Sequence, residues 1–320
     1  MPKIFRTVSV MLVVGMLIAA ACKQNSFKNN NMNQVQVNKS RLYADVKFLT
    51  EVTPPRNAFN LASLNTSADY IFREFSKISD RVSYQTFKVD NKEYKNIICS
   101  LGPEGGERII VGAHYDVCGD QPGADDNASG VAGLLEIARQ VHEQNLPLKY
   151  RIDFVSFALE EPPYFKTDAM GSAVHAKSLA STGVKLRGMV CLEMIGYYSE
   201  EKNSQRYPVA ALKAIYPDKA NFISVVGNMG QGSLVNHLKK YMLEAGQIDV
   251  QSLTAPAAVP GVDFSDHLNY WHYNFPAVMI TNTAFFRNPH YHLPSDTLDT
   301  LDFDKMAEVV KGVYWAVVHL

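Results

Sequence analysis

Acidic side chains and histidines stand where apolar segments of the chain end. His114 and Asp116 follow an apolar run, and the glycine-bounded turn after them carries Asp125 and Asp126 in tandem. Two adjacent carboxylates repel each other unless a cation is bound beside them. A helix N-cap needs only one such residue, so the excess of carboxylates favours metal binding. A histidine with a carboxylate two residues later also fits a metal ligand and the group that orients it.

Two other segments place carboxylates in apolar surroundings. The apolar run 151–158 leads into Glu160 and Glu161, and Glu193 is embedded in the sequence MVCLEMIG. Burying a carboxylate costs on the order of several kcal/mol unless it is compensated. Metal binding and general-base catalysis are two roles that compensate this cost, whereas a solvated pair on a loop is the simpler alternative for Glu160 and Glu161.

The last candidate ligand lies in the segment HYHLPSDT. His290 and His292 point to the same side if the backbone is extended, so either could bind a metal. The whole set offers imidazole and carboxylate groups, which suit zinc, or cobalt or manganese by substitution. Five such ligands with one shared carboxylate suffice for two ions. Paired ions lie about 3.5–4 Å apart, activate water and polarise a carbonyl group.

The elements that must position these residues alternate along the chain. Strands are predicted at 81–89, 95–101, 109–113, 151–158, 188–194, 221–226 and 276–282, and helices at 64–78, 128–143, 171–181, 233–245 and 303–318. Strands interleaved with helices predict a single α/β domain with a mostly parallel twisted sheet and helices on both faces. Such sheets bind ligands outside the carboxyl ends of their strands, where the candidate residues stand.

The N-terminal segment has the pattern of an export signal. Lys3 and Arg6 precede an uncharged apolar run that is shorter than the roughly 20 residues of a bilayer span. The run ends in IAAAC and resembles the lipobox of bacterial lipoproteins. That resemblance implies cleavage after a signal peptide, 1–21, and a lipid on Cys22 that anchors the exported protein to a bacterial membrane. A plain signal peptide with an incidental Cys22 is the alternative.

The segment after the leader, 22–39, is rich in Asn and Gln and is predicted to be a flexible tether. Residues 40–320 contain no linker pattern and are predicted to form one catalytic domain. The formal net charge is −1 and no long basic stripe occurs, so we expect no nucleic-acid partner. The remaining cysteines share no metal-ligand spacing and could be free thiols or include one disulfide: Cys99, Cys118 and Cys191.

The order of these motifs resembles that of the co-catalytic di-zinc aminopeptidases, which include secreted leucyl aminopeptidases, aminopeptidase Y and glutamate carboxypeptidase. The matching motifs are HYD at 114–116, GADDNASG at 123–130, EE at 160–161, the carboxylate at 193 and YHLPSDT at 291–297. The resemblance covers about residues 40–320. It implies the zinc-exopeptidase fold, two zinc ions and a peptide substrate with a free N-terminus.

The resemblance also implies individual roles. The zinc ligands are His114, Asp126, Glu161, Glu193 and His292. Asp126 bridges the two ions and is followed by an unusual cis peptide bond, and His114 shares its ion with Glu193. Glu160 is the general base that takes a proton from water and passes it to the leaving amine. Asp116 orients His114, and Asp125 supports the turn. The segment SDH at 265–267 lies near the pocket without a direct ligand role.

Some features depart from the family's pattern. Many members have Asp where Glu193 stands, and the longer side chain requires a backbone that lies further back. The loop 162–172, PPYFKTDAMGS, also differs, and its shape is expected to affect specificity. Candidate pocket loops are 197–207 and 283–289, with the aromatic residues Tyr197, Tyr198 and Phe285.

Three alternatives remain from the sequence. Glutaminyl cyclases share the fold and use one zinc, for which Asp126, Glu161 and His292 would serve. The presence of the other two ligands, and of Tyr291 where cyclases tend to have Trp, favours the peptidase. In a carboxypeptidase or amidohydrolase Arg287 could grip a substrate carboxylate, although a surface arginine is the simpler interpretation. An inactive surface binding protein would be expected to have lost metal ligands.

Overall fold

The computed structural model of the protein describes residues 35–320. The predicted signal peptide, Cys22 and most of the tether lie outside these described residues. Helix α1 begins at Lys39, and the side chain of its N-cap, Asn38, accepts a hydrogen bond from the backbone N–H of Arg41. Helical structure therefore begins within the last residues of the predicted tether.

The described chain forms eight strands and a set of helices around them. The strands are β1 (Val82–Val89), β2 (Lys92–Leu101), β3 (Arg108–His114), β4 (Arg151–Phe157), β5 (Leu186–Glu193), β6 (Phe222–Gly227), β7 (Asp249–Thr254) and β8 (Ala277–Thr281). The α-helices are α1 (Lys39–Thr50), α2 (Leu61–Ser76), α3 (Gly130–Gln144), α4 (Gly171–Thr182), α5 (Gly232–Ala245), α6 (His267–Trp271) and α7 (Phe303–Val318). Every predicted element is present, with ends that differ by three residues at most.

The strands form one sheet in the order β1-β2-β4-β3-β5-β8-β6-β7. The central pairs β4/β3, β3/β5 and β5/β8 are parallel, as is the edge pair β6/β7. The pairs β1/β2, β2/β4 and β6/β8 are antiparallel. The predicted single α/β domain with a mostly parallel sheet is confirmed, with antiparallel additions towards its edges.

Side chains on the two faces of the sheet pack against different helices. Cys191 in β5 belongs to a buried cluster with Ala176 of α4 and Tyr270 of α6. The next residue, Leu192, points to the opposite face, because successive side chains of a strand alternate. There it lies 3.5 Å from where a Cβ on Gly133 of α3 would stand, so helices cover both faces.

Among the strands and α-helices of the described residues, three were not predicted from the sequence: α1, α6 and β7. Strand β7 is at the sheet edge and only one of its six residues, Val250, is buried, so its apolar alternation is weak. The hairpin between β1 and β2 turns at Asp90 and Asn91, which both have positive φ. A two-residue hairpin turn of type I′ requires this at both positions. Within residues 35–320 no helix is long and apolar enough to cross a membrane.

Candidate metal centre

The candidate ligands meet at the carboxyl end of the central parallel strands. His114 is the last residue of β3 and Glu193 is the last residue of β5. Glu160 and Glu161 follow β4 after a short extension, and Asp126, whose backbone angles are not helical (φ −104°, ψ 94°), lies in the turn that leads into α3. Parallel neighbours end at the same edge of a sheet, which brings residues distant in sequence to one place.

One group of donors surrounds the ring nitrogen of His114. Its Nε2 atom lies 3.4 Å from Asp126 Oδ1 and 3.3 Å from Glu193 Oε2. Glu160 Oε2 is further away, at 3.8 Å. All four residues are buried. We refer to His114, Asp126 and Glu193 as the first donor group.

A second donor group uses the other oxygen of the same aspartate. His292 Nε2 lies 3.1 Å from Asp126 Oδ2 and 3.3 Å from Glu161 Oε2. Asp126 thus presents one oxygen to each histidine, which is the arrangement expected of a carboxylate shared by two ions. His290, the other candidate, instead pairs its Nδ1 with Ser295 Oγ at 2.9 Å.

The two donor groups fit metal ions. Donor atoms held about 2.0–2.1 Å from a tetrahedral zinc ion lie about 3.3–3.4 Å apart, close to the spacings seen here. His114 Nε2, His292 Nε2 and Glu161 Oε1 are buried, and each makes no hydrogen bond within the described chain. Buried polar atoms are seldom left without a partner, so these three atoms indicate cation sites.

The residues beside the donors adopt uncommon backbone conformations. Leu159, Met194 and His292 all have positive φ, at 62°, 53° and 56°. Such conformations cost about 1–3 kcal/mol each in residues other than glycine and persist where the surrounding structure requires them. The Asp126–Asn127 peptide bond is cis, as the resemblance implies.

Asp116 connects the two donor groups. Its carboxylate accepts hydrogen bonds from the backbone N–H groups of Glu160 and Glu161, each at 3.1 Å. His114 Nδ1 lies 3.2 Å from the backbone carbonyl oxygen of Asp116 and 3.6 Å from its Oδ1. The Asp116 carboxylate therefore fixes the glutamate pair, whereas the His114 ring contacts the backbone carbonyl oxygen of Asp116 more closely than its carboxylate.

Asp125 faces away from the donors and holds loops together. Its carboxylate accepts hydrogen bonds from Gly196 N–H at 2.8 Å, Asn282 Nδ2 at 2.8 Å and Asn288 Nδ2 at 2.7 Å. Asp296 accepts from the backbone N–H groups of both Asp125 and Asp126, at 2.9 and 3.0 Å. Asp296 was visible in the motif YHLPSDT but was given no role from the sequence.

Ser265 positions the carboxylate of the first donor group. Its hydroxyl donates to Glu193 Oε2 at 2.7 Å. The next residue, Asp266, is fully buried, and burial raises the pKa of its carboxyl group to about 7. The SDH segment thus supports the site without belonging to either donor group.

The structural role of Arg56 was not predicted from the sequence, and Arg56 belongs to none of the recognised motifs. Its guanidinium is buried and donates to the carbonyl oxygens of Tyr115 at 2.8 Å, Leu49 at 3.0 Å and Gly123 at 2.7 Å, and also to that of Pro122. Burial lowers its pKa to about 10, so the group remains charged at neutral pH. Arg56 thereby holds both ends of the loop 115–123 and places a positive charge near the acidic centre.

In the chain without metal, protons occupy part of this centre. Burial, and then the adjacent Asp126, raise the pKa of Glu161 to about 8. Burial opposes charge on His292, but the adjacent carboxylates prevail and raise its pKa to about 10. Burial also favours the protonated form of Asp126, yet the two histidines prevail and lower its pKa.

Metal affinity is therefore expected to rise with pH. Ions must displace protons from Glu161 and His292, whose pKa values lie above neutrality, and fewer protons remain to be displaced as pH increases. We expect the apparent association constant to increase about tenfold per pH unit, or more, between about pH 6 and 8. Competition with a chromophoric chelator measures this slope, and an affinity independent of pH would contradict the protonation states described.

An apolar cavity adjoins the first donor group. It has a volume of about 90 Å³, and its lining includes Glu193, a member of that group, and Tyr291. Most of the remaining lining is apolar: Tyr207, Pro208, Leu212, Tyr216, Phe222, Val226, Leu253, Pro260, Val262, Phe264, Met279, Ala284, Phe285 and Phe286. The predicted pocket residue Phe285 is among them. Tyr197 instead packs edge-on against His290, and the Tyr198 hydroxyl donates to the carbonyl oxygen of Ile195.

Arg287 is buried, so its interpretation as a surface arginine is wrong. It is 4% exposed and donates to Gln205 Oε1 at 2.9 Å and to the carbonyl oxygen of Phe222 at 2.7 Å. The guanidinium also lies over the aromatic ring of Phe222, with its Cζ atom 4.5 Å from the ring centroid. These contacts orient the guanidinium towards protein groups beneath the cavity wall.

Fold and site together describe an α/β protein with two donor groups that share a carboxylate, an arrangement that suits a metal-dependent hydrolase. The chain belongs to Peptidase family M28, whose sequence profile matches residues 96–317. This finding confirms the resemblance to the co-catalytic zinc exopeptidases.

Individual relatives include an uncharacterized bacterial protein and fungal leucine aminopeptidases. The Escherichia coli (strain K12) protein YfbL, itself uncharacterized, is 49% identical over 281 residues, which is 85% of each chain. A probable leucine aminopeptidase 1 of Trichophyton verrucosum is 26% identical over 70% of this chain, and the match spans only 57% of that protein.

Solved structures with the same fold carry two kinds of description. BSAP, a zinc aminopeptidase from Bacillus subtilis, matches with a TM-score of 0.71 and 16% identity, over 89% of this chain and 96% of that chain. The glutaminyl cyclase of Bacteroides thetaiotaomicron matches with a TM-score of 0.69 and 20% identity, over 89% of this chain and 99% of that chain. At such identities these matches establish the fold alone.

Proposed function

We propose that the protein is a zinc-dependent aminopeptidase that hydrolyses the first peptide bond of peptides with a free N-terminus. The observation that carries this proposal is the position of Asp126, whose two oxygens face His114 and His292 separately. A single-metal enzyme has no need of the first donor group. The aminopeptidase names among the relatives and structural neighbours support the same reaction.

The chain's own residues divide the catalytic work. When bound, zinc ions polarise the scissile carbonyl and lower the pKa of a water molecule. Glu160 lies beside the first donor group and takes a proton from that water, and then delivers it to the leaving amine. In the chain without metal, burial raises the pKa of Glu160. The Asp116 carboxylate holds the backbone of Glu160 in place by accepting a hydrogen bond from the Glu160 N–H group.

A glutaminyl cyclase is the second candidate, because the second donor group alone resembles a complete one-metal site. Asp126, Glu161 and His292 would hold that ion, and Glu160 would transfer protons. The structural match to a cyclase over 99% of that chain favours testing it directly. The presence of a preformed first donor group argues against it.

One assay separates the two reactions. The protein is stripped with a chelator, reloaded with zinc and offered a panel of aminoacyl arylamides and a peptide with N-terminal glutamine. We expect zinc-restored release of arylamine with about two ions per chain. Release of ammonia from the glutamine peptide without arylamine release would establish the cyclase instead, and neither reaction in a zinc-loaded, folded protein would refute both.

The cavity is proposed to receive the first side chain of the substrate, with a preference for apolar side chains. Ser224 of β6 is a small residue of its lining and is 7% exposed. We expect Ser224→Leu to fill part of the cavity and to lower kcat/KM for leucyl relative to alanyl arylamides by about 10–100-fold. Thr254→Leu, at an exposed end of β7, is the control. An equal loss for both substrates would show that the first side chain binds elsewhere.

We also propose that the enzyme acts outside the cytoplasm, held to a bacterial membrane by lipid on Cys22. The motif IAAAC supports this placement. Cys22→Ser should move the protein from the membrane fraction to the soluble exported fraction, and unchanged membrane association would contradict the lipid anchor.

A further inference from the structure

Cys118 lies at the second donor group, although nothing in its sequence spacing indicated a ligand. Its sulfur, a carboxylate oxygen of Glu161 and a ring nitrogen of His292 all lie within 4.8 Å of one another. Cys118 is partly exposed, whereas Cys99 and Cys191 are buried. The proposed reaction makes no use of Cys118.

The loop that carries Cys118 is held on both sides. The N–H of Val117 donates to the carbonyl oxygen of Arg56 at 3.3 Å, and Asn57 Nδ2 donates to the carbonyl oxygen of Gly119 at 2.7 Å. These bonds fix the backbone immediately before and after Cys118. The position of its sulfur is therefore set by the fold of the loop as well as by its own side-chain rotation.

The neighbouring donors point to a cation at the same place. Glu161 is 3% exposed, and its Oε1 atom is buried and makes no hydrogen bond within the described residues. The Nε2 atom of His292 is also buried and makes no hydrogen bond within the described residues. A sulfur atom close to the Glu161 carboxylate and the His292 ring, each of which has an unpartnered buried atom, adds to a set of donors that zinc accepts.

We propose that Cys118 is an additional ligand of the ion held by Asp126, Glu161 and His292. On binding, the S–H bond breaks, the sulfur donates its electron pair to the divalent ion, and the proton is released to solvent. A thiolate among nitrogen and oxygen ligands shifts the preference of this position towards zinc and cadmium and away from manganese and magnesium. This inference rests on the proposed metal-dependent function.

A thiolate at this position also makes the two sites unequal. With Cys118, the second ion would have four ligands from this chain, whereas the first donor group offers three. The second ion is therefore expected to be the more tightly held of the two, and the first ion is expected to leave first during chelation.

The test uses the full chain loaded with Cd²⁺ alone, and its readout is spectroscopic. We expect ultraviolet charge-transfer absorption from thiolate to cadmium in the wild type and in Cys99→Ser, and its loss in Cys118→Ser. Cys99 is a buried cysteine of β2 and serves as the matched control. Cadmium bound without a Cys118-dependent absorption would overturn the inference and leave the proposed function standing. A wild-type chain that takes up neither cadmium nor zinc would overturn both.

A second measurement needs no variant. Reaction of Cys118 with a thiol reagent, located by peptide mass mapping, is expected to slow about tenfold or more when the metal-free chain is loaded with Zn²⁺, because a coordinated sulfur is no longer free to attack. Equal rates for the metal-free and zinc-loaded protein would overturn the assignment of Cys118 as a ligand.

Discussion

Glu160→Gln is expected to lower kcat for aminoacyl arylamides by about 10²–10⁴-fold while zinc content stays unchanged. Glutamine keeps the size of the side chain and removes the group that accepts the proton. Glu160 Oε2 is 3.8 Å from His114 Nε2, further than the ligands of the first donor group, so its loss should leave the ions in place. Steady-state kinetics on zinc-loaded protein, with metal content measured on the same sample, gives both quantities.

The neighbouring residue provides the matched control. Glu161→Gln changes the same functional group one residue later, but Glu161 Oε2 lies 3.3 Å from His292 Nε2, within the second donor group. We expect that variant to lose an ion as well as activity. Near-normal turnover in Glu160→Gln, or equal loss of zinc in both variants, would disprove the assignment of Glu160 as the base.

Asp126→Asn is expected to remove both ions and to reduce hydrolysis below detection. An amide cannot supply the two anionic oxygens that face His114 and His292. Replacing groups that merely support a metal ligand costs about 10–100-fold in affinity, so loss of the shared ligand should cost more. Metal content after dialysis and residual activity check this expectation.

Asp120→Asn tests whether any carboxylate of this region has the same effect. Asp120 is exposed, lies on the preceding loop and accepts a hydrogen bond from Asn57 Nδ2. It should retain both ions. Retention of one ion in Asp126→Asn would show that the aspartate serves a single site.

Much of this centre was predictable because its ligands sit at strand ends. The short apolar strands predicted around His114 and Glu193 place the next polar residue at the carboxyl edge of the sheet. The order of the motifs then assigned each residue a role. The change from apolar to polar residues at the ends of these strands also explains why their predicted bounds deviate little from those of the structure.

The groups that hold the ligands were less visible, since their effect depends on contacts between distant segments. Arg56 acts through backbone carbonyl oxygens, which leave no trace in side-chain patterns. Asp296 and Ser265 stand inside recognised motifs, but their partners, Asp126 and Glu193, are fixed only by the fold. Arg287 was misjudged because an arginine in a loop is usually exposed, whereas here hydrogen bonds from its Nε and Nη1 atoms to amide and carbonyl oxygens offset part of the cost of burial.

The guanidinium of Arg56 connects the N-terminal helix to the loop that leads into the candidate metal centre. It joins the carbonyl oxygen of Leu49, in the last turn of α1, to that of Gly123, three residues before Asp126. Both Leu49 and Arg56 precede residue 96, where the family match begins. By thermodynamic reciprocity, a helix that stabilises the loaded loop must itself be stabilised by the ions. Amide hydrogens of α1 should therefore exchange more slowly in the zinc-loaded protein, which would make the N-terminal helix a reporter of occupancy at the candidate metal centre.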